Sequence, residues 1–185
     1  MNADHRVLLD SCVLANFAVC DLLLRLSEHP RVFLPHWSET ILDEVHRTHV
    51  KKLGWNIKYA DSFQCALRTH FPEACVRGHE KLIPVMENDE KDRHVLAAAI
   101  IGGCSLILTF NLKHFPESAL KDYSVEARHP QDYLQVLYEL ERERVVSCLG
   151  EIAGRKKKET QDVLIELGKA LPKFSQRLLD DLGMT

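Results

Sequence analysis

The sequence lacks long hydrophobic runs, internal repeats and low-complexity tracts. Its longest apolar stretches, such as Val95 to Ile101, are far too short to span a bilayer, so we expect no membrane association. The first residues, Met1 to Arg6, show no signal-peptide pattern, and we therefore expect a cytoplasmic protein. The missing repeats argue against solenoid architectures, and the missing low-complexity tracts argue against a disordered chain.

The sequence also lacks paired cysteine motifs and an excess of positive charge. Its six cysteines are scattered without a CxxC pair, which argues against both a disulfide framework and a zinc site. We interpret them as reduced thiols that mostly pack in the core. The net charge of −3 does not indicate a nucleic-acid partner. It does not exclude one either, because an acidic metal site would itself lower the net charge of a nuclease.

The sequence does contain enough hydrophobic residues to form a core, and its patterns alternate between those of strands and those of helices. The chain has 185 residues, of which 45% are hydrophobic and 28% charged, as expected for one globular domain with a small appendage. The βα alternation predicts an α/β fold with a mainly parallel sheet and helices on its faces. The predicted strands are Arg6 to Leu9, Arg31 to Leu34, Ser105 to Thr109 and Val125 to Ala127. The predicted helices are Leu14 to Leu26, Ser38 to Val50, Asn56 to Thr69 and Asp92 to Gly102.

The residue composition of the chain changes at Pro130. The remaining segment is rich in helix-forming residues and is punctuated by Gly154 and Pro172, which predicts a C-terminal appendage of about three helices. We therefore divide the chain into a domain at residues 1–130 and a helical extension at residues 131–185.

Four polar residues stand where a parallel sheet would bring them together. Asp10 follows one predicted strand and Asn111 follows another, so both belong to the carboxyl edge of the sheet. Asp92 opens the helix that leads back to the strand before Asn111. Glu44 flanks the apolar stripe of its helix and can therefore point toward the same edge.

Clustered carboxylates at this edge need protons or a cation. Two carboxylates about 4 Å apart repel by roughly 4 kcal/mol at an effective dielectric near 20. Three would cost on the order of 10 kcal/mol, which is comparable to the total stability of a domain. Oxygen ligands suit Mg²⁺ or Mn²⁺ better than zinc, and such ions activate water for attack on phosphodiesters.

The stretches around these residues resemble those of the PIN-domain ribonucleases, including the VapC toxins of bacterial toxin–antitoxin pairs. The matching stretches are Val7 to Leu14, Trp37 to Val45, Asp89 to Ala99 and Thr109 to Pro116. The resemblance covers about Arg6 to Leu134. It implies a three-layer α/β/α PIN-like domain whose acidic residues fall on Asp10, Glu44 and Asp92, with Asn111 as the fourth catalytic position. It further implies an RNA substrate, an antitoxin partner and a homodimer.

The sequence departs from the family pattern at Asn111 and in the loop that follows it. Asn111 replaces an acid that many relatives carry, and His114 stands where relatives often have a second acid. These departures motivate a second hypothesis, a catalytically weak PIN-like binding or assembly module. A phosphatase with an aspartyl nucleophile is a third class. That class requires a second aspartate where this chain has Cys12.

Alternative interpretations remain open for several of these residues. Asp10 could simply occupy a turn, Asp92 could cap its helix, Glu44 could be exposed, and Asn111 could make a local turn hydrogen bond. Asp89 competes with Asp92 for the cap or metal role, and Ser11 could bind a ligand or satisfy the backbone. The basic cluster Arg155, Lys156, Lys157 and Lys158 could contact RNA phosphates, although such runs are more often solvated.

Overall fold

The computed structural model describes residues 4–184 and contains a five-stranded parallel sheet. Residues 1–3 and 185 lie outside that description, including half of the Met1 to Arg6 segment considered above. The strands are β1 (Arg6–Leu9), β2 (Leu34–Ser38), β3 (Cys75–Val76), β4 (Leu106–Leu108) and β5 (Glu126–Arg128). The helices are α1 (Ser11–Ala15), α2 (Phe17–Ser27), α3 (Glu39–Lys51), α4 (Ile57–His70), α5 (Arg93–Ile101), α6 (Glu117–Leu120), α7 (Pro130–Leu140), α8 (Arg142–Lys156), α9 (Thr160–Gly168) and α10 (Pro172–Asp181).

The strand order is β3-β2-β1-β4-β5, and every neighbouring pair is parallel. Right-handed crossovers place α1 to α4 on one face, because β1, β2 and β3 succeed one another in one direction across the sheet. The return from β3 to β4 and on to β5 runs the other way, which places α5 and α6 on the opposite face. The predicted α/β/α arrangement with a parallel sheet is therefore confirmed.

The second strand differs from its predicted position. The sequence pattern placed it at Arg31 to Leu34, ending before Pro35, whereas β2 begins at Leu34 and passes through Pro35. Leu34 donates its N–H toward β1, to His5, and Trp37 donates toward β3, to Ala74. By alternation Pro35 faces the β3 side, where pairing begins only at Trp37. The missing N–H of proline therefore costs no ladder hydrogen bond.

The helix predicted from Leu14 to Leu26 is two helices, α1 and α2. Asn16 interrupts the run with an extended backbone, and its side-chain oxygen accepts a hydrogen bond from Val19 N at 3.3 Å. A short polar side chain that caps the following helix competes with continuation of the preceding one.

Helix α5 is buried along most of its length and ends at a close approach to β3. A Cβ on Gly102 would lie 2.8 Å from Val76 Cγ2, so the packing of this helix end requires glycine. Gly103 has φ +63, the left-handed conformation that commonly terminates helices. The predicted end of this helix at the glycine pair is confirmed.

The C-terminal segment contains four helices, α7 to α10, rather than the three expected, because α7 and α8 separate at Glu141. These helices share the core of the sheet domain. Tyr133 of α7 meets Phe33 edge-on at 5.7 Å, and Arg144 of α8 donates to Arg25 O of α2 at 2.8 Å. The division at residue 130 stays a prediction.

The sequence predicted neither disulfide bonds nor membrane-spanning helices, and both expectations can be compared with the described residues. All six cysteines are free thiols, as expected. Between residues 4 and 184, no helix combines the length and the apolar character that crossing a bilayer requires.

Candidate functional site

Three of the predicted site residues, Asp10, Asp92 and Asn111, lie at or near the carboxyl ends of β1 and β4. These strands are neighbours, and β2 follows β1 on the other side, so the crevice between β1 and β4 is the point where the chain reverses its direction across the sheet. Ligands of open α/β sheets bind at such switch points. Asp10 directly follows β1 and donates its backbone N–H to Leu108 O of β4 at 3.0 Å. We call Asp10, Glu44, Asp89 and Asp92 the acidic crevice.

Asp10 is held at the floor of the acidic crevice. Its side chain is only 2% exposed, and its Oδ2 accepts hydrogen bonds from Thr109 Oγ1 at 2.6 Å and from Cys12 Sγ at 3.1 Å. Burial and the nearby charge of Asp10 raise the pKa of the Cys12 thiol to about 12, so this thiol remains a neutral donor. The interpretation of Asp10 as a solvent-facing turn residue does not fit these contacts.

Glu44 reaches the acidic crevice from α3. The Ser11 hydroxyl donates to Asp10 Oδ1 at 3.3 Å and is also among the groups that lower the pKa of Glu44, so it lies between the two carboxylates. His94 Nε2 lies 3.2 Å from Glu44 Oε1. Burial favours the neutral acid, but the contacts from His94 and Ser11 and the charge of Arg47 outweigh it, and the pKa of Glu44 is lowered. The neighbouring Asp43 is exposed.

Asp92 occupies the N-cap position of α5, yet its side chain makes no capping hydrogen bond. It accepts one from His114 Nδ1 at 2.5 Å instead. Burial raises the pKa of Asp92, the bond from His114 opposes this, and the charges of Asp10 and Asp89 add to it, so the pKa lies above its ordinary value. Asp92 is therefore electrostatically coupled to Asp10 across the crevice.

Asp89 and His114 complete a compact group with Asp92. The three residues offer ligand atoms that all lie within 4.8 Å of one another. Asp89 also caps the short helical turn Glu90–Asp92 by accepting from Lys91 N at 3.1 Å. Hence the cap role falls on Asp89 here, and Asp92 is free to face the crevice.

Asn111 adjoins the crevice through its backbone. Its N–H donates to Thr109 Oγ1 at 3.0 Å, and the same hydroxyl donates to Asp10. The Asn111 side chain makes no capping hydrogen bond to the turn that follows. The amide is thus not committed to the local role that the sequence left open.

The basic cluster at the end of α8 lies away from these acids and is largely neutralised. Arg155 pairs with Asp21, while Lys156 and Lys158 lie 3.1 and 3.7 Å from Glu166. Within residues 4–184, Lys157 alone of the four basic residues has no ion-pair partner.

The donor set of the crevice fits a hard divalent cation. Carboxylate oxygens are the ligands that Mg²⁺ and Mn²⁺ prefer, and among residues 4–184 those of Asp89 and Asp92 lie within 4.8 Å of each other and of a His114 nitrogen, in a group that does not include Asp10 or Glu44. His114 adds an imidazole nitrogen, which favours Mn²⁺ over Mg²⁺. No cysteine thiol joins this group, so the cluster does not resemble a structural zinc site.

Sequence reasoning missed three contributors to the crevice. Thr109 was assigned only to a strand, although its hydroxyl connects Asp10 with Asn111. His94 was not among the predicted site residues, and it lies 3.2 Å from Glu44. His114 was noted as a departure from the family pattern, and it binds Asp92. The signal that the sequence offered for Thr109 was a hydroxyl two residues before Asn111 at a strand end.

Comparison with known proteins gave one relative. A curated protein of Mycobacterium tuberculosis (strain ATCC 25618 / H37Rv) described as "Putative ribonuclease VapC50" is 40% identical over 103 residues. The match covers 54% of this chain, and this chain spans about 61% of the length of that relative. No family model and no solved structure matches the chain. The predicted resemblance to VapC-type PIN ribonucleases is confirmed by this relative and by the parallel sheet.

Proposed function

We propose that this protein is a metal-dependent endoribonuclease that hydrolyses RNA phosphodiester bonds. The observation that carries the proposal is the acidic group at the switch point of the parallel sheet, where Asp89, Asp92 and His114 offer ligand atoms within 4.8 Å of one another and Asp92 is electrostatically coupled to Asp10. The similarity to a protein described as a ribonuclease supports the same reaction class.

In this proposal Asp10, Glu44 and Asp92 hold Mg²⁺ or Mn²⁺, with Asn111 supporting the site and Asp89 and Ser11 as further contributors. A bound divalent ion would lower the pKa of a coordinated water and neutralise charge on the phosphate. The protein contributes the orientation of the acids. Thr109 and Cys12 donate to one oxygen of Asp10, His114 holds one oxygen of Asp92, and His94 lies 3.2 Å from Glu44. Such supporting contacts typically change metal affinity or activity by about 10- to 100-fold.

The direct test is the Asp10→Asn variant in an RNA cleavage assay with Mn²⁺. We expect this variant to lose Mn²⁺-stimulated cleavage, because the amide cannot replace the buried carboxylate as an anionic ligand. Asp43→Asn is the matched control, since Asp43 is the exposed acid beside Glu44 and takes no part in the crevice. Equal cleavage by wild type and Asp10→Asn, with circular dichroism showing both folded, would refute the assignment.

We further propose that the protein is the toxin of a toxin–antitoxin pair, bound by an antitoxin and active as a homodimer. The support is the likeness to the VapC-named relative. A small neighbouring gene for a DNA-binding antitoxin, whose product suppresses growth arrest by this chain, would be the expected finding. Growth arrest that the neighbouring product fails to relieve would contradict the pairing.

A PIN-like binding module with little catalysis is the second candidate. The specific observation in its favour is that His114 occupies one oxygen of Asp92 at 2.5 Å, while Asn111 brings no charge to the site. Calorimetric titration with Mn²⁺ separates the two functions. Absence of Mn²⁺ binding at neutral pH would favour the binding module.

A further inference from the structure

The second half of α3, the loop after it and the start of α4 form an unusually basic segment. From His46 to Ala60 the chain contains no aspartate or glutamate, although the whole protein carries a net charge of −3. The positive side chains of this segment are Arg47, Lys51, Lys52 and Lys58, and all four are exposed. A polyanion would therefore meet locally positive charge here.

The lysines of this segment are available for binding. Lys51, Lys52 and Lys58 have no ion-pair partner among residues 4–184, and Arg47 alone approaches an acid, Glu44, at 3.9 Å. The nearest acid beyond the segment, Asp61, lies 2.9 Å from His46. The basic run of α8 is different, since three of its four side chains already contact Asp21 or Glu166. The segment between α3 and α4 therefore presents three exposed lysines that are free of ion pairs within the described residues.

The same segment contains three aromatic rings in contact, those of His49, Trp55 and Tyr59, which we call the aromatic shelf. The Trp55 ring stacks on the His49 ring with centroids 3.8 Å apart and an interplanar angle of 17°. The backbone N–H of Trp55 donates to the backbone carbonyl of His49 at 2.9 Å. Tyr59 lies 4.7 Å from Trp55 and remains 54% exposed. Exposed rings beside lysines are the usual platform for single-stranded nucleic acid, because bases stack on the ring while ammonium groups contact phosphates.

The shelf is anchored near the acidic crevice. His49 Nε2 lies 3.3 Å from Ala15 O, at the end of the short helix that starts directly after Asp10. Glu44 is on the same helix as Lys51 and precedes it by about 10 Å at 1.5 Å per residue. A single-stranded RNA bound at Lys51 would thus extend about two helical turns along α3 to reach Glu44.

We propose that Lys51, Lys52, Lys58 and Tyr59, which we call the α3–α4 surface, bind single-stranded RNA and guide it to the acidic crevice. This inference rests on the proposed ribonuclease function. The competing occupant is a protein that would cover the exposed side chains of Leu53 and Ile57. Lysine is depleted at protein interfaces, and these two apolar side chains have lysines on both sides in the chain. The charge of the surface therefore favours RNA.

The first test measures binding without cleavage. Fluorescence anisotropy with a labelled oligouridylate in EDTA gives the RNA affinity at several salt concentrations. Each lost phosphate contact should reduce the slope of log affinity against log salt by about 0.7, so Lys51→Ala/Lys52→Ala should lower it by roughly 1.4. The matched control is Lys169→Ala/Lys173→Ala, which removes two exposed lysines from the C-terminal helices and should leave the slope unchanged.

The second test addresses stacking. Tyr59→Ala should weaken RNA binding by about tenfold or more, whereas Tyr59→Phe should retain binding because the ring is preserved. Circular dichroism melting of each variant shows whether the fold is intact. Equal losses with alanine and phenylalanine would contradict stacking by Tyr59.

The outcomes separate this proposal from the ribonuclease function. An unchanged salt slope in Lys51→Ala/Lys52→Ala overturns the α3–α4 surface even when wild type cleaves RNA. If wild type fails to cleave with Mn²⁺ but the slope still falls, the nuclease assignment fails and the RNA surface stands. If the lysine variants bind RNA normally while Leu53→Ser/Ile57→Ser changes the sedimentation of the protein, the surface is a protein interface and the proposal is wrong.

Discussion

Replacing Thr109 by valine removes one hydroxyl from the floor of the acidic crevice and preserves the shape of a fully buried side chain. That hydroxyl donates to Asp10 Oδ2 at 2.6 Å and accepts from Asn111 N at 3.0 Å. A hydrogen bond to a charged group contributes about 1.5–3 kcal/mol and a neutral one about 0.5–1.5 kcal/mol. We expect Thr109→Val to lower the free energy of unfolding by about 2–4 kcal/mol.

The measurement is urea denaturation without metal, followed by Mn²⁺ titration calorimetry. For a domain of this size the loss of stability corresponds to a fall in Tm of roughly 5–15 °C. Loosening Asp10 should also weaken Mn²⁺ binding by about 10- to 100-fold. Thr109→Ser is the matched control, because it keeps the hydroxyl and loses only a methyl group, at a cost of about 1 kcal/mol.

The two variants separate packing from positioning. If Thr109→Val is as stable as wild type, the contacts of the hydroxyl do not support the crevice and the reasoning is refuted. If serine and valine weaken Mn²⁺ binding equally, the methyl group rather than the hydroxyl matters, and Thr109 does not orient Asp10.

Two further predictions concern histidines. Burial lowers the pKa of His36, His49 and His79 below 6.5, so the unfolded chain binds more protons than the folded one just below that pH. The free energy of unfolding should therefore fall as pH drops from 7.5 to 5.5, by up to about 1.4 kcal/mol per pH unit for each group, and a flat urea series would contradict this. His114→Ala should weaken Mn²⁺ binding more than Mg²⁺ binding in calorimetry, because an imidazole ligand suits Mn²⁺ better, and equal effects would exclude His114 as a ligand.

The alternation of strands and helices could be predicted because it follows from local patterns. Residues 7–9 of β1 form a continuous apolar run, as in buried parallel strands, and Ser38 caps α3 by accepting from Ile41 N at 3.3 Å. The position of β2 could not be predicted in the same way. Proline is tolerated at Pro35 only because β3 is too short to pair there, and the length of β3 is a property of the folded sheet.

The convergence of the acids on one sheet edge was expected from chain order, but the contacts that orient them were not. Asp10 and Thr109 are separated by 99 residues, and Asp92 and His114 by 22. A local sequence pattern does not show that a hydroxyl at the end of one strand faces a carboxylate at the end of another. That contact follows only once the order of the strands in the sheet is known. The bond between His114 and Asp92 similarly depends on the loop after β4 folding back over the start of α5.

The hydrogen-bond donors around these carboxylates explain how an acidic crevice can exist in a folded domain. Bare clustered carboxylates would cost on the order of 10 kcal/mol, which is comparable to the stability of a whole domain. Here Thr109 and Cys12 donate to Asp10, Ser11 lies between Asp10 and Glu44, and His114 donates to Asp92. Burial is the main reason why the pKa of Asp92 is raised, and the charges of Asp10 and Asp89 add to it, so some repulsion between the acids remains. A cation that relieves this residual repulsion would bind to an already oriented set of ligands, which is the condition for tight binding without refolding.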